Sequence, residues 1–222
     1  MLKKFISRLT FNKYSVIFSL NRSSTVLDVG CGNHSPSLVK SILPNCIYTG
    51  VDIDYYNLDE NDKMLADHLF IFPKERFFDN LEILDSKFDL ILATHIIEHL
   101  EDPSLLFQAC SKLLKIDGVL LISTPSIRSI NFPSSKGTLN YYDDKTHIEM
   151  PILFSQVYDF CKMNNLLIVK YKLGRPSIVS KLVGFPFELI RKVLKRNVFT
   201  TWSYWGFEDI YLIKLNKNKF KS

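Results

Sequence analysis

Short apolar runs of strand length alternate with amphipathic segments of helical period from residue 25 onwards. This alternation predicts an α/β protein whose strands form an open, mostly parallel sheet with helices on both faces. The apolar runs predict strands at Thr25–Val29, Ile47–Asp52, Phe88–Ala93, Gly118–Thr124, Leu166–Tyr171 and Tyr211–Leu215. The amphipathic segments predict helices at Ser35–Leu43, Pro103–Leu114 and Phe154–Asn164.

The pattern is irregular in four places. One further strand is predicted at either Leu69–Phe72 or Arg76–Phe78, and the apolar positions do not choose between them. Residues 1–24 form an N-terminal extension, residues 126–150 form a long polar loop, and residues 176–206 form an insertion before the last strand. Loops of this length are commonly functional, and ligands of such sheets bind at the carboxyl ends of the strands.

Composition limits the class of protein without identifying it. The chain has 222 residues, of which 46% are hydrophobic, and a net charge of +5. We therefore expect a single domain over residues 1–222, with the extension at 1–24 and a helical insertion or lid at 176–206. The mild charge argues against a nucleic-acid partner. Four cysteines without C-x-x-C spacing, with no signal-peptide pattern and no membrane-spanning apolar run, predict a reduced, cytoplasmic protein.

A glycine turn with a carboxylate in the preceding strand is the most informative motif. The run Val26-Leu-Asp-Val-Gly-Cys-Gly-Asn33 joins an apolar strand to a predicted helix. Gly30 and Gly32 let the backbone approach a nucleotide-like ligand closely. Asp28 disfavours an anionic pyrophosphate, whereas a cofactor that carries an ammonium and a sulfonium suits it. Ser35 replaces the third glycine of G-x-G-x-x-G, which disfavours the alternative, a nicotinamide-dependent protein.

This run resembles motif I of the class I S-adenosylmethionine (SAM) methyltransferases of the type 11/23-like kind. The resemblance implies a Rossmann-like fold, with a seven-stranded, mostly parallel sheet whose last strand is antiparallel. It also implies SAM as the cofactor, with Asp28 facing the methionine end of SAM. Asp52, about twenty residues after the turn, would bind the ribose, and Asp54 is its rival. Asp79, which would approach the adenine amine after a third strand, and Thr94 are the other candidate cofactor ligands. A solvated surface acid is the alternative interpretation of Asp79.

A second group of candidate residues follows the fourth strand, in the run Thr94-His-Ile-Ile-Glu-His99. If a helical turn starts here, His95, Glu98 and His99 lie on one face at positions i, i+3 and i+4. Together with His147 from the long loop, they suit Mg²⁺ or another divalent metal. The pattern resembles the metal-dependent O-methyltransferases, which have E-x-x-E-H here, so His95 replaces the first glutamate. A purely structural role for Glu98 and His99 is the alternative.

The same resemblance implies methyl transfer to a hydroxyl, with His147 or His95 accepting the proton. The segment Gly137–His147, with Trp202 and Tyr204–Glu208, resembles bacterial-type methyltransferases suspected of modifying sugars. Aromatic faces and carboxylates suit carbohydrates, so a small polyhydroxylated acceptor, a sugar or glycan, is predicted. Two alternatives stay open: a noncatalytic SAM-binding protein and an RNA 2′-O-methyltransferase.

The insertion is rich in both apolar and basic residues between positions 177 and 197. Such a segment can be a substrate lid, a homodimer contact or a peripheral contact with an anionic membrane. Gly184 and Pro186 interrupt its helical pattern, and a lid or a dimer contact is the commoner fate of such an insertion. The sequence therefore favours a lid or a dimer contact over a membrane contact.

Overall fold

The computed structural model describes residues 13–148, 150–198 and 200–217. The strands in these residues are β1 (Thr25–Val29), β2 (Ile47–Asp52), β3 (His68–Ile71), β4 (Phe88–Thr94), β5 (Leu114–Pro125), β6 (Leu166–Lys172) and β7 (Glu208–Leu215). They form one sheet in the order β3-β2-β1-β4-β5-β7-β6. The first five strands are parallel to one another, and β7 is antiparallel to both of its neighbours. The predicted fold class, with its antiparallel last strand, is therefore confirmed.

Helices connect the strands. They are α1 (Lys13–Ile17), α2 (Ser35–Ile42), α3 (Glu60–Leu65), α4 (Phe77–Glu82), α5 (Ser104–Leu113), α6 (Phe154–Met163), α7 (Ile178–Leu194) and α8 (Thr201–Trp205). Short 3₁₀ turns lie at Lys74–Arg76, Ile97–His99, Ile127–Asn131 and Tyr141–Asp143. Within the described ranges, none of these helices combines the length and the apolar character needed to cross a membrane.

The central strands of the sheet are buried on both faces, as their continuous apolar sequences require. One face packs on α4, α5 and α6, which contribute the buried side chains of Leu81, Phe107 and Val157. The opposite face packs on α1 and α2 through Ile17 and Val39. The two layers fix the carboxyl ends of the parallel strands along a single edge of the sheet.

The ambiguous third strand lies at His68–Ile71, in parallel register with β2. The alternative at Arg76–Phe78 is wrong, because a 3₁₀ turn ends at Arg76 and α4 begins at Phe77. The aromatic pair at positions 77 and 78 suggested a strand, but one helical turn buries Phe77 in the core. Tertiary packing thus overrides the local aromatic preference for strand.

The last strand begins earlier than its apolar pattern indicates, at Glu208 instead of Tyr211. It pairs with β5 along most of its length, down to the pair formed by Pro125 and Glu208. Cross-strand pairing therefore keeps polar residues in the strand. As a result, the Glu208 side chain reaches the carboxyl ends of β4 and β5.

The insertion at 176–206 contains α7 and α8, which pack on each other. A small apolar cluster attaches α8 to the loop after β5. This cluster consists of Phe132, Leu139 and Phe207, with Trp202 and Trp205 packed against it. The insertion therefore lies next to the loop that follows β5, away from the two main core layers.

Candidate cofactor and acceptor site

The glycine turn after β1 has left-handed backbone at three positions. Gly30 has φ +75°, and Asn33 and His34 have φ 56° and 58°. Only glycine adopts this region without strain, which accounts for Gly30. The backbone N–H groups of Gly30 and Cys31 both donate to the Val51 carbonyl, at 2.9 and 3.2 Å. These bonds attach the turn to the end of β2.

Gly32 is needed for a different reason: the segment that follows β2 packs directly against its backbone. A Cβ atom at this position would lie 2.8 Å from the Tyr56 carbonyl oxygen and 3.3 Å from the Asp52 carboxylate. The Gly32 N–H donates to Asp52 Oδ2 at 2.9 Å. The absence of a side chain at Gly32 therefore lets the segment after β2 close over the turn, an effect that the motif alone did not reveal.

Asp28 is fully buried behind this turn. One carboxylate oxygen, Oδ2, accepts hydrogen bonds from Ser35 Oγ at 2.5 Å and from the Tyr48 hydroxyl at 2.9 Å. The other oxygen, Oδ1, has no hydrogen-bond partner among the described residues. A buried carboxylate oxygen without a donor is costly, so a ligand that brings a donor or a positive charge would be stabilised here.

Lys13 supplies a positive charge beside this carboxylate. Its Nζ donates to Ser35 Oγ and to Thr94 Oγ1, each at 3.3 Å. Burial raises the pKa of Asp28, while Lys13 and the two hydroxyl hydrogen bonds act in the opposite direction. The sequence did not point to Lys13, because it lies in the N-terminal extension, far from any motif. Its ammonium links the start of α2 to the end of β4.

The other acidic candidates lie at different distances from the turn. Asp52 closes β2, and its Oδ1 accepts the Ile53 N–H at 2.7 Å while Oδ2 binds the turn. Burial raises the pKa of Asp52. Asp54 is exposed and caps its own loop by accepting the Tyr56 N–H at 2.8 Å. Asp79 lies on α4, exposed to solvent. Of the three, Asp52 is the one bonded to the glycine turn.

His95 lies between two carboxylates. Its Nε2 lies 2.7 Å from Glu208 Oε1, and its Nδ1 lies 3.1 Å from Glu98 Oε1. Burial alone would lower the pKa of His95, but the hydrogen bonds to Glu208 and Glu98 raise it to about 10. The imidazole is therefore held as a cation near neutral pH. The Trp202 ring packs against it, with the ring centres 5.1 Å apart.

The expected helical face at 95–99 does not form. His95 has φ 56°, and a single 3₁₀ turn at Ile97–His99 follows it. The His95 ring is bonded to Glu208 as well as to Glu98, and it lies outside the group that Glu98 forms with His99 and His147. In that group, one potential ligand atom from each residue lies within 4.8 Å of the others. The structure thus brings together three of the four residues expected to bind metal.

Local hydrogen bonds orient the two histidines of this group. His147 Nδ1 lies 2.6 Å from the Tyr141 carbonyl oxygen, and His99 Nδ1 lies 3.2 Å from the Thr146 carbonyl oxygen. A carbonyl oxygen only accepts, so each Nδ1 carries a hydrogen and Nε2 is the nitrogen that would bind a metal ion in the neutral imidazole. Such outer bonds are typical of metal-binding histidines. The Ile148 N–H donates to the Glu98 carbonyl at 2.9 Å, which fixes the loop carrying His147 beside β4.

The candidate residues form two groups, both at the carboxyl ends of the parallel strands. The Asp28–Lys13 corner and Asp52 surround the glycine turn at the ends of β1 and β2. Glu98, His99 and His147 lie beyond the end of β4. The sequence did not single out Lys13, Tyr48 and Glu208 for roles in this site. Glu208 was visible only as part of an aromatic-rich segment, and only the pairing of β5 with β7 brings it to His95.

Comparisons with known proteins identify the family of this chain. Residues 2–175 match the family model described as "Methyltransferase domain". A SAM-dependent methyltransferase from Archaeoglobus fulgidus has a similar structure, with a TM-score of 0.56 at 20% identity over 96% of this chain and 92% of that one. At that identity the likeness concerns the fold alone. Together, the family match and the fold are those of the class I SAM-dependent methyltransferases.

Curated relatives match part of the chain. The ubiquinone biosynthesis O-methyltransferase of Histophilus somni is 33% identical over 107 residues, 45% of this chain and 44% of the relative. That of Pasteurella multocida is 37% identical over 112 residues, 45% of each chain. The matches thus span less than half the length of these relatives. The chain belongs to the methyltransferase domain family.

Proposed function

We propose that this protein is a SAM-dependent O-methyltransferase acting on a small acceptor with neighbouring hydroxyl groups. The observation that carries the proposal is the unpartnered Asp28 oxygen at the glycine turn, on the same sheet edge as Glu98, His99 and His147 of the described chain. One group suits a cationic methyl donor, and the other suits oxygen atoms held for reaction.

The cofactor half has the charges that SAM requires. The methionine end of SAM carries an ammonium and a carboxylate. The buried Asp28 carboxylate would bind the ammonium, and the Lys13 ammonium would bind the carboxylate of SAM. Asp52, bonded to the turn, is the proposed ligand of the ribose hydroxyls. The cofactor would supply the methyl group on its sulfonium. Thr94 and Asp79 remain proposals for cofactor contact, since Thr94 bonds Lys13 and Asp79 lies exposed on α4.

The metal half fits a divalent ion by its donor set. Glu98, His99 and His147 provide one carboxylate and two imidazoles, a set that suits a transition metal such as Mn²⁺ at least as well as Mg²⁺. When bound, such an ion would orient neighbouring hydroxyls and lower the pKa of the attacking one. His95 is not in this group, and its carboxylate partners hold it protonated. We therefore assign His95 a positioning role instead of the proton-accepting role expected from the sequence.

Proton acceptance then falls to His147 only if no metal binds there. Its side chain is nearly buried and its Nδ1–H is fixed by Tyr141, so Nε2 is the one nitrogen that can accept a proton. With a metal bound, His147 acts as a ligand and cannot take the proton. The two versions differ in their requirement for metal, which an assay can separate.

The acceptor class follows from this chemistry. The vicinal diol of a sugar and the two neighbouring hydroxyls of a catechol ring both present paired oxygen atoms. A metal held by Glu98, His99 and His147 could bind either pair. Relatives named as ubiquinone biosynthesis O-methyltransferases support transfer to oxygen. Within the segment that suggested a carbohydrate acceptor, Tyr141 is fully buried against His147, whereas Tyr142 is half exposed. We therefore retain the sugar or glycan as one of two acceptor types to be compared.

The test combines binding with transfer. Calorimetric titration should show saturable SAM binding, and its absence would end the proposal. Methyl transfer to a sugar-nucleotide panel and a catechol panel should be lost with chelator and restored by Mn²⁺ or Mg²⁺. Glu98→Gln and His147→Gln should each lower the metal-dependent rate by about a hundredfold while SAM still binds.

A matched control is His68→Gln, an exposed histidine on β3 at the far edge of the sheet, which should leave the rate unchanged. Chelator-resistant transfer would remove the metal from the mechanism, and a loss of rate in His147→Gln alone would then identify His147 as the proton acceptor. SAM binding without transfer to any hydroxyl would instead favour the noncatalytic alternative.

A further inference from the structure

The long helix α7 presents its apolar side chains to solvent. Leu182 is 71% exposed and Val193 is 81% exposed, and eight other large apolar residues of this helix are exposed as well. These others are Ile178, Val179, Val183, Phe185, Phe187, Leu189, Ile190 and Leu194. A contiguous exposed apolar surface of this size on a globular domain marks an interaction site.

The face of α7 that meets the protein is polar. It is formed by Gly184, Glu188 and Arg191, the buried residues of the helix. Arg191 binds Glu188 in a two-pronged ion pair at 2.8 and 2.7 Å, and the Trp205 indole N–H donates to the same carboxylate at 3.1 Å. A Cβ atom at Gly184 would lie 2.8 Å from the Tyr204 ring. These contacts fix the rotation of the helix, so its apolar side is held outward.

The exposed apolar side is wide and uninterrupted. Viewed down the helix axis, at 3.6 residues per turn, the exposed apolar side chains fill an arc of about 200°. Phe185 lies at one edge of this arc and Phe187 at the other. Ile178, Leu182, Leu189 and Val193 lie near one another within this arc. Pro186 lies within it too, where the helix continues through the proline. An arc of this width exceeds the narrow seam through which two helices pair.

The exposed charged residues on α7 and just after it all carry a positive charge. Lys181, Lys192, Lys195 and Arg196 are exposed within or just after α7. Glu188 is the sole acidic residue between positions 177 and 198, and its charge is neutralised by Arg191. A second copy of this helix would bring like charges together, whereas an anionic surface would be attracted by each of them.

We propose that α7 is a membrane-surface helix that lies flat on an anionic lipid bilayer. Its apolar arc would enter the boundary between headgroups and acyl chains, and its lysines would contact the anionic headgroups. This mode of binding needs no transmembrane span, only a broad apolar face with a basic rim. The proposal is independent of the proposed methyl transfer.

The test uses the full chain with vesicles of phosphatidylcholine alone and of phosphatidylcholine with phosphatidylglycerol. The wild-type protein should float with the anionic vesicles, and raising the salt concentration should weaken its binding. Leu182→Glu combined with Val193→Glu places two charges in the centre of the arc. This variant should bind at least about tenfold more weakly, because each glutamate would have to leave water.

Two further variants separate the arc from other effects. Met163→Glu changes an apolar residue of α6 that is 74% exposed, and it should bind vesicles like the wild type. Lys181→Gln with Lys192→Gln should weaken the preference for anionic vesicles, since two of the four basic side chains are lost. Thermal unfolding and SAM titration check that all variants stay folded.

Several results would overturn the proposal. Absence of vesicle binding would do so, as would binding that the double glutamate variant retains in full, since another part of the chain would then be responsible. Light scattering that shows a dimer broken by the same variant, without vesicle binding, would assign the arc to a second copy instead.

Discussion

At the scale of single residues, burial of the Asp28 carboxylate lowers the stability of the folded protein but leaves one oxygen atom available to a ligand. Burial raises its pKa, so the charged form is disfavoured in the folded protein. A carboxyl group whose pKa is raised by folding stabilises the fold below its unfolded pKa, and that contribution is lost as the pH rises through the folded value. Near neutral pH the charge of Asp28 thus opposes folding, and the proposed ammonium of SAM would offset this cost when bound.

Replacement of Asp28 with asparagine should therefore separate binding from stability. The amide oxygen of the variant side chain could still accept from Ser35 and Tyr48, so the free energy of unfolding at pH 7 should stay unchanged or rise. SAM affinity should fall by about tenfold to a hundredfold, the value of one hydrogen bond to a charged group. Calorimetry and thermal unfolding measure the two quantities.

The control for this prediction is a ligand without the amino-acid end. 5′-Methylthioadenosine shares the adenosine of SAM but carries no ammonium or carboxylate, so Asp28→Asn should leave its affinity unchanged. Lys13→Gln should show the same selectivity, because Lys13 lies beside Asp28 at the same corner. An equal loss for both ligands in either variant would mean that the turn itself had been damaged.

At the scale of elements, Asp62 ties α3 to the start of α2. It accepts from His34 Nδ1 at 2.6 Å, from the Asp59 N–H at 3.1 Å and from both the N–H and the hydroxyl of Ser37. Burial would raise the pKa of Asp62, but the Ser37, Asp59 and His34 hydrogen bonds lower it to about 2. The helix that follows the glycine turn is thus anchored by a neighbouring helix.

Replacement of Asp62 with asparagine should destabilise the protein and reduce its sensitivity to acid. A carboxyl whose pKa falls on folding contributes stability above its unfolded pKa, here about 2 kcal/mol, and loses it as the pH falls from about 4 to about 2. Urea unfolding should show that difference between wild type and Asp62→Asn at pH 7 and a smaller one at pH 3.

The control for Asp62 is Asp85→Asn, an exposed acid. It should change the free energy of unfolding by less than about 0.5 kcal/mol. A difference between wild type and Asp62→Asn that is the same at both pH values would contradict the account, since the loss would then come from the helix cap alone.

Much of the secondary structure was predictable because the central strands are buried on both faces. β1 and β2 have the predicted bounds, and α2, α5 and α6 differ from prediction only at their ends. The class of cofactor was predictable because Asp28 lies within an apolar strand next to the glycine turn. These features are local, so the chain shows them without its fold.

The remaining features depend on contacts between distant segments. The His95 ring binds Glu208, more than a hundred residues further along the chain. Lys13 reaches Thr94 from α1, across the end of β1. The sequence of α7 showed an amphipathic segment, but only the fold reveals that its polar stripe is the buried one. No periodicity carries such information.

At the scale of the whole molecule, α7 and α8 form a separate layer beside the acceptor side of the site. Glu188 and Arg191 of α7 meet Trp205 of α8, and Trp202 of α8 packs on His95. Burial would raise the pKa of Glu188, but Arg191 and the Trp205 indole hold it below its ordinary value. A buried ion pair thus connects the proposed membrane helix to the proposed site through one short helix.

Loss of one partner of that ion pair should therefore loosen this layer without unfolding the sheet. Glu188→Gln leaves the Arg191 guanidinium buried without a counter-charge, which costs about 3 kcal/mol or more, whereas Glu188→Gln with Arg191→Met removes the charge and should recover most of that loss. Hydrogen exchange should speed up in α7 and α8 of the single variant and stay slow in β1 and β4, because α7 packs outside both core clusters. A general rise in exchange across the sheet would contradict this, since it would show that the layer and the core unfold together.

If the layer does open alone, the rate of methyl transfer should fall, because Trp202 would no longer hold His95 in place. The affinity for SAM should stay unchanged, because Asp28 and Lys13 lie on the other side of β4.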